Sequence, residues 1–178
     1  MNFNLFILRL KIMFYLILGK IKKINPQIKL PNRESVNKVL LVFPKDENEF
    51  RLSLYIFKDL FLIDNNTKYT LIINKNFFKI LNFQSPNIFF VEFGKRSMKF
   101  CNNEQRKMLL KEDLDVVVDL NTNFFFGSSQ FISYLKSRIK IGFKSNFSDI
   151  FYNMQLNPKK TGSVEMIFVR MKEILDSL

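Results

Sequence analysis

The chain has no histidine and no tryptophan, a single cysteine, five glycines and five prolines in 178 residues. Without histidine, and with Cys101 alone, no His-based zinc site, Cys–His pair or Ser–His–Asp triad can be assembled. The lone cysteine also excludes an intramolecular disulfide and fits a reducing compartment. Acids are scarce as well: 16 Asp and Glu stand against 28 Lys and Arg, a net charge of +12. The first 30 residues contain no acid, and Arg9, Lys11, Lys20, Lys22, Lys23 and Lys29 supply half of that net charge. A basic excess spread over a chain suggests nucleic acid. An excess gathered on an apolar N-terminus points to an anionic membrane surface instead, and nucleic acid is disfavoured as a partner.

Long apolar runs are also missing. The first element, residues 3–18, reads FNLFILRLKIMFYLIL and is interrupted by Arg9 and Lys11. At helical spacing Phe3, Phe6, Ile7, Leu10, Met13, Phe14 and Ile17 share one broad face, with Arg9 and Lys20 on one polar strip and Lys11 and Lys22 on another. The run is short for a bilayer crossing, and no small-residue cleavage site follows it. An amphipathic, basic helix over residues 1–24 lying in the plane of a membrane is the favoured reading. A true span and a helix packed on the protein itself are the alternatives. Asn25-Pro26 to Pro31-Asn32 carries turn residues and reads as part of a linker over residues 25–37.

What is present from residue 38 onward is an alternation of strand and helix. Strands are expected at Val39–Phe43, Tyr69–Ile73, Ile88–Phe93, Val116–Leu120 and Ile139–Phe143. Between them lie helical segments at Asp46–Leu60, Lys75–Leu81, Asn103–Lys111 and Phe125–Ser137, with a closing helix from Gly162-Ser163 to about Leu175. Phe147–Leu156 reads as a loop with aromatic anchors. Val116-Val117-Val118 shows no polar alternation, as expected of a parallel strand buried on both faces. The expected fold is α/β: a Rossmann-like, open, mostly parallel sheet over residues 38–178 with helices on both faces, preceded by the amphipathic helix.

In such a sheet ligands sit beyond the carboxyl ends of the strands, which singles out the loops at Phe43–Glu49, Asn74, Gly94–Arg96, Asn121–Asn123 and Lys144–Asp149. The first loop has no glycine and three acids, Asp46, Glu47 and Glu49, so it is unsuited to cradle a pyrophosphate. Those acids either complement the dipole of the helix they open or provide a general base, Glu49 or Asp46, facing an acceptor hydroxyl. Asp119 either caps the turn after its strand through Asn121 and Thr122, the favoured reading, or faces the cleft. Asn121, Gly142 and Lys144 are candidates to line the cleft. Nothing in the pattern calls for a cofactor or a metal.

Lys38-Val39-Leu40-Leu41-Val42, the D-V-V-V-D-L run from Asp115 to Leu120, Tyr134-Leu135, Arg138-Ile139-Lys140-Ile141-Gly142-Phe143 and Phe151-Tyr152-Asn153 carry a resemblance. In order and spacing, over residues 38 to 175, the chain resembles the N-terminal half of glycosyltransferase family 9, the ADP-heptose:lipopolysaccharide heptosyltransferases. The resemblance implies the acceptor-binding half of a GT-B fold. It aligns Asn48 and Glu49 with the Gly-Asp whose Asp is that family's proposed base. It further implies a glycan or glycolipid acceptor, a cytoplasmic position at the inner membrane, and a role in lipopolysaccharide or other surface-glycan assembly. The donor-binding half of the family falls outside the resemblance, so a truncated or split enzyme is expected, inactive without a separate donor-binding chain. The alternative is a non-enzymatic Rossmann-like module that docks a partner protein at the membrane.

Overall fold

The β-branched and aromatic runs pair into one sheet, seen in a computed structural model that describes residues 3–25, 36–62, 67–81, 83, 87–158 and 162–178. At its centre β1 (Lys38–Val42) is parallel to β2 (Lys68–Asn74) on one side and β5 (Asp113–Asp119) on the other. Beyond β2 lie β3 (Ile88–Phe93) and β4 (Met98–Phe100), and beyond β5 lie β6 (Lys136–Phe143) and β7 (Met154–Leu156). The order is β4-β3-β2-β1-β5-β6-β7, and every pair is parallel except the β3–β4 hairpin at one edge. Strand order reverses between β1 and β5, which opens a crevice at their carboxyl ends.

Both faces of the sheet are dry, which explains the unbroken apolar strands. Val39 and Leu41 project into one core cluster, Leu40 and Val42 into the other. Helices α2 (Glu47–Leu62) and α5 (Val164–Ser177; α1, α3 and α4 are placed below) cover the first face through Phe50, Leu54 and Phe57 against Ile167, Phe168 and Met171. The rings of Phe57 and Phe168 meet edge to face with centroids 6.4 Å apart. The second face is covered by α1 (Phe3–Ile17), α3 (Asn103–Lys111) and α4 (Phe126–Tyr134), through Ile12, Leu109, Phe131 and Ile132. Each fully buried Phe or Leu contributes roughly 1.5–3 kcal/mol of transfer free energy, so both layers are needed to hold the sheet.

Local chemistry sets the ends of the elements. Asn102 caps α3 by accepting from Glu104 N at 2.9 Å, and Ser163 caps α5 by accepting from Met166 N at 3.3 Å. Four boundaries differ from expectation. The Lys75–Ile80 segment is 3-10 rather than α-helical. Helix α4 stops at Tyr134 because residues 136 and 137 pair with Asp113 and Leu114 in the parallel ladder. The expected loop over 147–156 contains a 3-10 turn at Ser148–Ile150 and the edge strand β7. Strand β4 went unread because three residues give too short a pattern. It forms because Gly94 N donates to Ser97 O at 2.8 Å and folds the chain back. Most of the expected linker, residues 26–35, lies outside the described residues.

Helix α1 packs on the domain with one stripe and leaves another bare. Leu8, Ile12, Tyr15 and Leu16 lie against the second core cluster, and the Lys11 ammonium sits 4.8 Å from the centre of the Phe126 ring. The segment after it is tied down by Gln130 Nε2 donating to Lys20 O (3.2 Å) and by Ile24 N donating to Ile150 O (3.1 Å). Phe6, Leu10, Met13, Phe14 and Ile17, most of the broad apolar face seen in the sequence, remain exposed, Ile17 by 81 %. Among the described residues no helix is long and apolar enough to cross a membrane.

Candidate functional site

The crevice at the β1/β5 reversal holds a cavity of about 460 Å³. Its floor is the loop after β1, Lys45 to Glu49, and its far side the loop after β5, Asn121 to Phe125, with Asn74 and Phe77 closing the end beyond β2. Three amide side chains (Asn74, Asn121, Asn123), three carboxylates (Asp46, Glu47, Glu49) and three aromatic rings (Phe77, Phe124, Phe125) therefore face one space.

Each polar group there has a defined place. Asp46 Oδ1 accepts from Asn48 N (2.9 Å) and Glu49 N (3.1 Å), so this carboxylate caps α2. Glu49, half-buried in the first turn of α2, accepts from the Thr122 hydroxyl across the crevice. Lys45 is held back from the cavity floor: its Nζ donates to Gly94 O at 2.9 Å and lies 5.2 Å from the centre of the Phe125 ring. Asn121 Oδ1 accepts from Lys45 N at 2.9 Å and so joins the two loops.

Beneath the loop after β5 lies a buried network that orients Asn121. Asp119, 2 % exposed, accepts from Asn121 N (3.1 Å) and Nδ2 (2.7 Å) through Oδ1, and from Ser128 Oγ (2.6 Å) and Tyr152 OH (2.7 Å) through Oδ2. Ser129 Oγ lies 2.8 Å from the same Tyr152 oxygen. Burial pushes the Asp119 carboxyl up from its ordinary range, with the hydrogen bonds from Ser128, Asn121 and Tyr152 acting against that rise. Burial, then the facing Asp119 charge, pushes the Tyr152 phenol well above its usual value. Asp119 is thus the turn cap expected from the sequence, with Ser128 and Tyr152 in place of Thr122, whose hydroxyl turns to Glu49.

Of the candidates named from sequence, Glu49, Asp46 and Asn121 come together at the cavity; Gly142 and Lys144 do not line it. Gly142 is buried in β6, where an added Cβ would come within 2.7 Å of the Tyr152 ring, so its lack of a side chain makes room for that ring. Lys144 is exposed beyond the end of β6, and its N–H donates to Leu156 O at 2.7 Å. Both were read as cleft residues because Lys144 follows the carboxyl end of its strand and Gly142 lies just before that end. The cavity opens at β1/β5, whereas β6 is one strand further out. Sequence reasoning missed Lys45, the bond from Thr122 to Glu49 and the role of Tyr152. The Phe151-Tyr152-Asn153 segment was visible as an aromatic anchor, but its contact with Asp119 spans 33 residues.

The sheet order, the cavity at its switch point and the helices on both faces define a Rossmann-like α/β domain. The chain matches no protein-family model and no curated protein by sequence. Among solved structures it is similar to the E. coli heptosyltransferase WaaC with ADP, at TM-score 0.54 and 13% identity over 75% of this chain and 45% of that one. The same enzyme with ADP-2-deoxy-2-fluoro heptose gives TM-score 0.53 and 14% identity over 75% of this chain and 46% of that one. The chain thus spans less than half the length of the structures it resembles, and the likeness is one of fold.

Proposed function

We propose that this chain is an acceptor-side glycosyltransferase domain that works at a membrane surface, with Glu49 as the general base. The observation that carries the reading is the crevice cavity. Amides and carboxylates can hydrogen-bond sugar hydroxyls while the Phe77, Phe124 and Phe125 rings offer apolar walls for a pyranose face. The loop after β1 brings acids rather than glycines to the place where a Rossmann domain holds pyrophosphate, so a nucleotide-sugar is a poor ligand for this half. WaaC, solved with ADP and with a fluorinated ADP-heptose, makes an ADP-sugar the donor class to try first. Transfer then requires a donor-binding domain to complete the cleft, because positioning lowers the barrier only when both substrates are held. Glu49, which lines the cavity and has no ion-pair partner among the described residues, would take the proton of the attacking hydroxyl. The wider role is surface-glycan assembly, lipopolysaccharide included.

Helix α1 supports the membrane part. About 140° of its circumference, from Met13 round to Leu18, is apolar and exposed, with Arg9 and Lys11 on the two borders. That arrangement suits the headgroup boundary of an anionic bilayer.

The test is an amide-shift titration of the full chain with lipopolysaccharide core oligosaccharides and, separately, with ADP-heptose. The oligosaccharides should move residues 45–49, 74 and 121–125, and ADP-heptose alone should not. A nucleotide-sugar binding in this cavity, or no oligosaccharide binding, would overturn the reading. In an enzyme reconstituted with a donor-binding domain, Glu49→Gln should lower turnover at least a hundred-fold; unchanged turnover would reduce Glu49 to a helix-terminus acid.

A further inference from the structure

Strand β6 places a lysine inside the protein. Ile139, Ile141 and Phe143 point into the first core cluster, so Lys140 points to the opposite face, beneath the segment that follows α1. It is only 6 % exposed. Its backbone is fixed on both sides by Asn153, which accepts from Lys140 N at 2.8 Å and donates to Lys140 O at 3.1 Å. Among the described residues its ammonium has no counter-ion and no hydrogen-bond acceptor; the charge felt by it is that of another cation, Lys22. Burial, then Lys22, lowers its pKa to about 8. Val117, its register partner on β5, shows that an apolar side chain fits this part of the face. No buried side-chain nitrogen or oxygen lacks a hydrogen-bond partner among the described residues, so the ammonium is open to the recess while its stem is buried. This partial burial still makes the charge costly.

The surroundings of Lys140 explain what could offset that cost. Lys140 lines an open recess of about 600 Å³ between residues 22–25, the end of α4 and the start of β6. Lys22, Lys23, Lys136 and Arg138 line it too, and among the described residues no acid does. Lys136 and Arg138 are drawn partly outward by Asp113 at 3.6 Å and Asp115 at 3.9 Å. Lys22, Lys23 and Lys140 have no carboxylate partner among the described residues. The recess lies at the amino-terminal end of β6, at the opposite end of the sheet from the crevice cavity, so it does not belong to the acceptor site.

We propose that this recess is a phosphate-binding site, with Lys140 as its buried ligand and Lys22 and Lys23 closing over the anion from the segment after α1. The chemistry is that of a phosphate mono- or diester dianion or monoanion, which three unpaired ammonium groups match in charge and hydrogen-bond donors. Two sources share that chemistry: the headgroup of an anionic phospholipid and a soluble phosphate ester. The position of the recess directly after the membrane-facing helix makes the headgroup accessible to it.

The experiment uses the full chain, Lys140→Met, Lys140→Arg and an α1 variant with Leu10→Glu and Phe14→Glu. Inorganic phosphate should raise the melting temperature of the wild type and of Lys140→Arg, and shift the amides of Lys22 and Asn153, while Lys140→Met shows neither effect. If Lys140→Met also loses about ten-fold in sedimentation with phosphatidylglycerol vesicles over phosphatidylcholine, the phosphate is a lipid headgroup. If its vesicle binding is unchanged while phosphate stabilisation is lost, the ligand is a soluble phosphate ester. Phosphate stabilising wild type and Lys140→Met equally, or neither, overturns the site. The α1 variant separates this from the membrane reading: it should lose vesicle binding yet keep the response to inorganic phosphate.

Discussion

The two recesses of this domain are built on opposite rules. At the carboxyl ends of β1 and β5 the polar groups are tied: Asp46 to the amides of α2, Asn121 to Lys45, Glu49 to Thr122, and Asp119 to four donors below. At the amino-terminal end of β6 a lysine with a buried stem brings an unpaired ammonium to an open recess. The first arrangement is rigid before any ligand arrives, so binding there orders little. The second stores an unfavourable term that an anion can relieve. The contrast teaches that satisfied buried polar groups shape a site, whereas an unpaired charge held at a recess leaves its place open to a ligand.

The comparison breaks most sharply at Asp119. Replacing it by Ala leaves the Tyr152 and Ser128 hydroxyls and the Asn121 amide without their acceptor, and should cost about 2–4 kcal/mol in denaturant unfolding. A cost below about 1 kcal/mol would show that the network does not hold the loop. Lys140→Met should act in the other direction, raising the stability of the ligand-free protein by roughly 1–3 kcal/mol near pH 7. If it destabilises, the ammonium is compensated and the contrast fails.

The same lysine gives a pH signature. Unfolded, it holds its proton to about its ordinary value of 10.5; folded, it releases it near 8. Between those values the unfolded state binds more protons, so this group makes stability rise with pH across that window. Below pH 8 its penalty is present in full. The groups facing it are Lys22 and Lys23 from the segment after α1, Tyr134 from α4, and Lys136 and Arg138 from its own strand. Lys140→Met leaves these in place, so the stability gap between variant and wild type isolates the effect of this lysine, and that gap should shrink as pH climbs from 8 to 10. The smallest effect is expected at Glu49→Gln, which keeps an oxygen acceptor for Thr122 and should change stability by less than about 1 kcal/mol. A large loss there would make Glu49 a structural residue of the crevice.

Much of the fold was legible because it rests on local patterns. Five of the seven strands and the four helices α2 to α5 follow from β-branched runs and helical spacing. The two unread strands, β4 and β7, are three residues long and exist because a neighbour's edge offers hydrogen bonds. The candidate site was half legible. Loops at strand ends led to Asp46, Glu49 and Asn121, but the same rule misplaced Gly142 and Lys144, since it does not say which strand ends border the crevice. Lys140 stood inside a quoted motif, Arg138 to Phe143, and gave no signal, because a lysine flanked by isoleucines reads as an exposed residue of a half-buried strand.

By itself the sequence determined an α/β alternation, a doubly buried central sheet and an N-terminal helix with cations on its borders. These are properties of segments, set by side-chain periodicity and backbone preference. The tertiary structure alone decided that α1 spends one stripe on the domain and keeps another free, that Tyr152 closes over Gly142 to reach Asp119, and that Lys140 is buried beside Lys22. Each of those depends on which distant segments meet, and the burial that shifts a charge or fixes a hydroxyl exists only once they do.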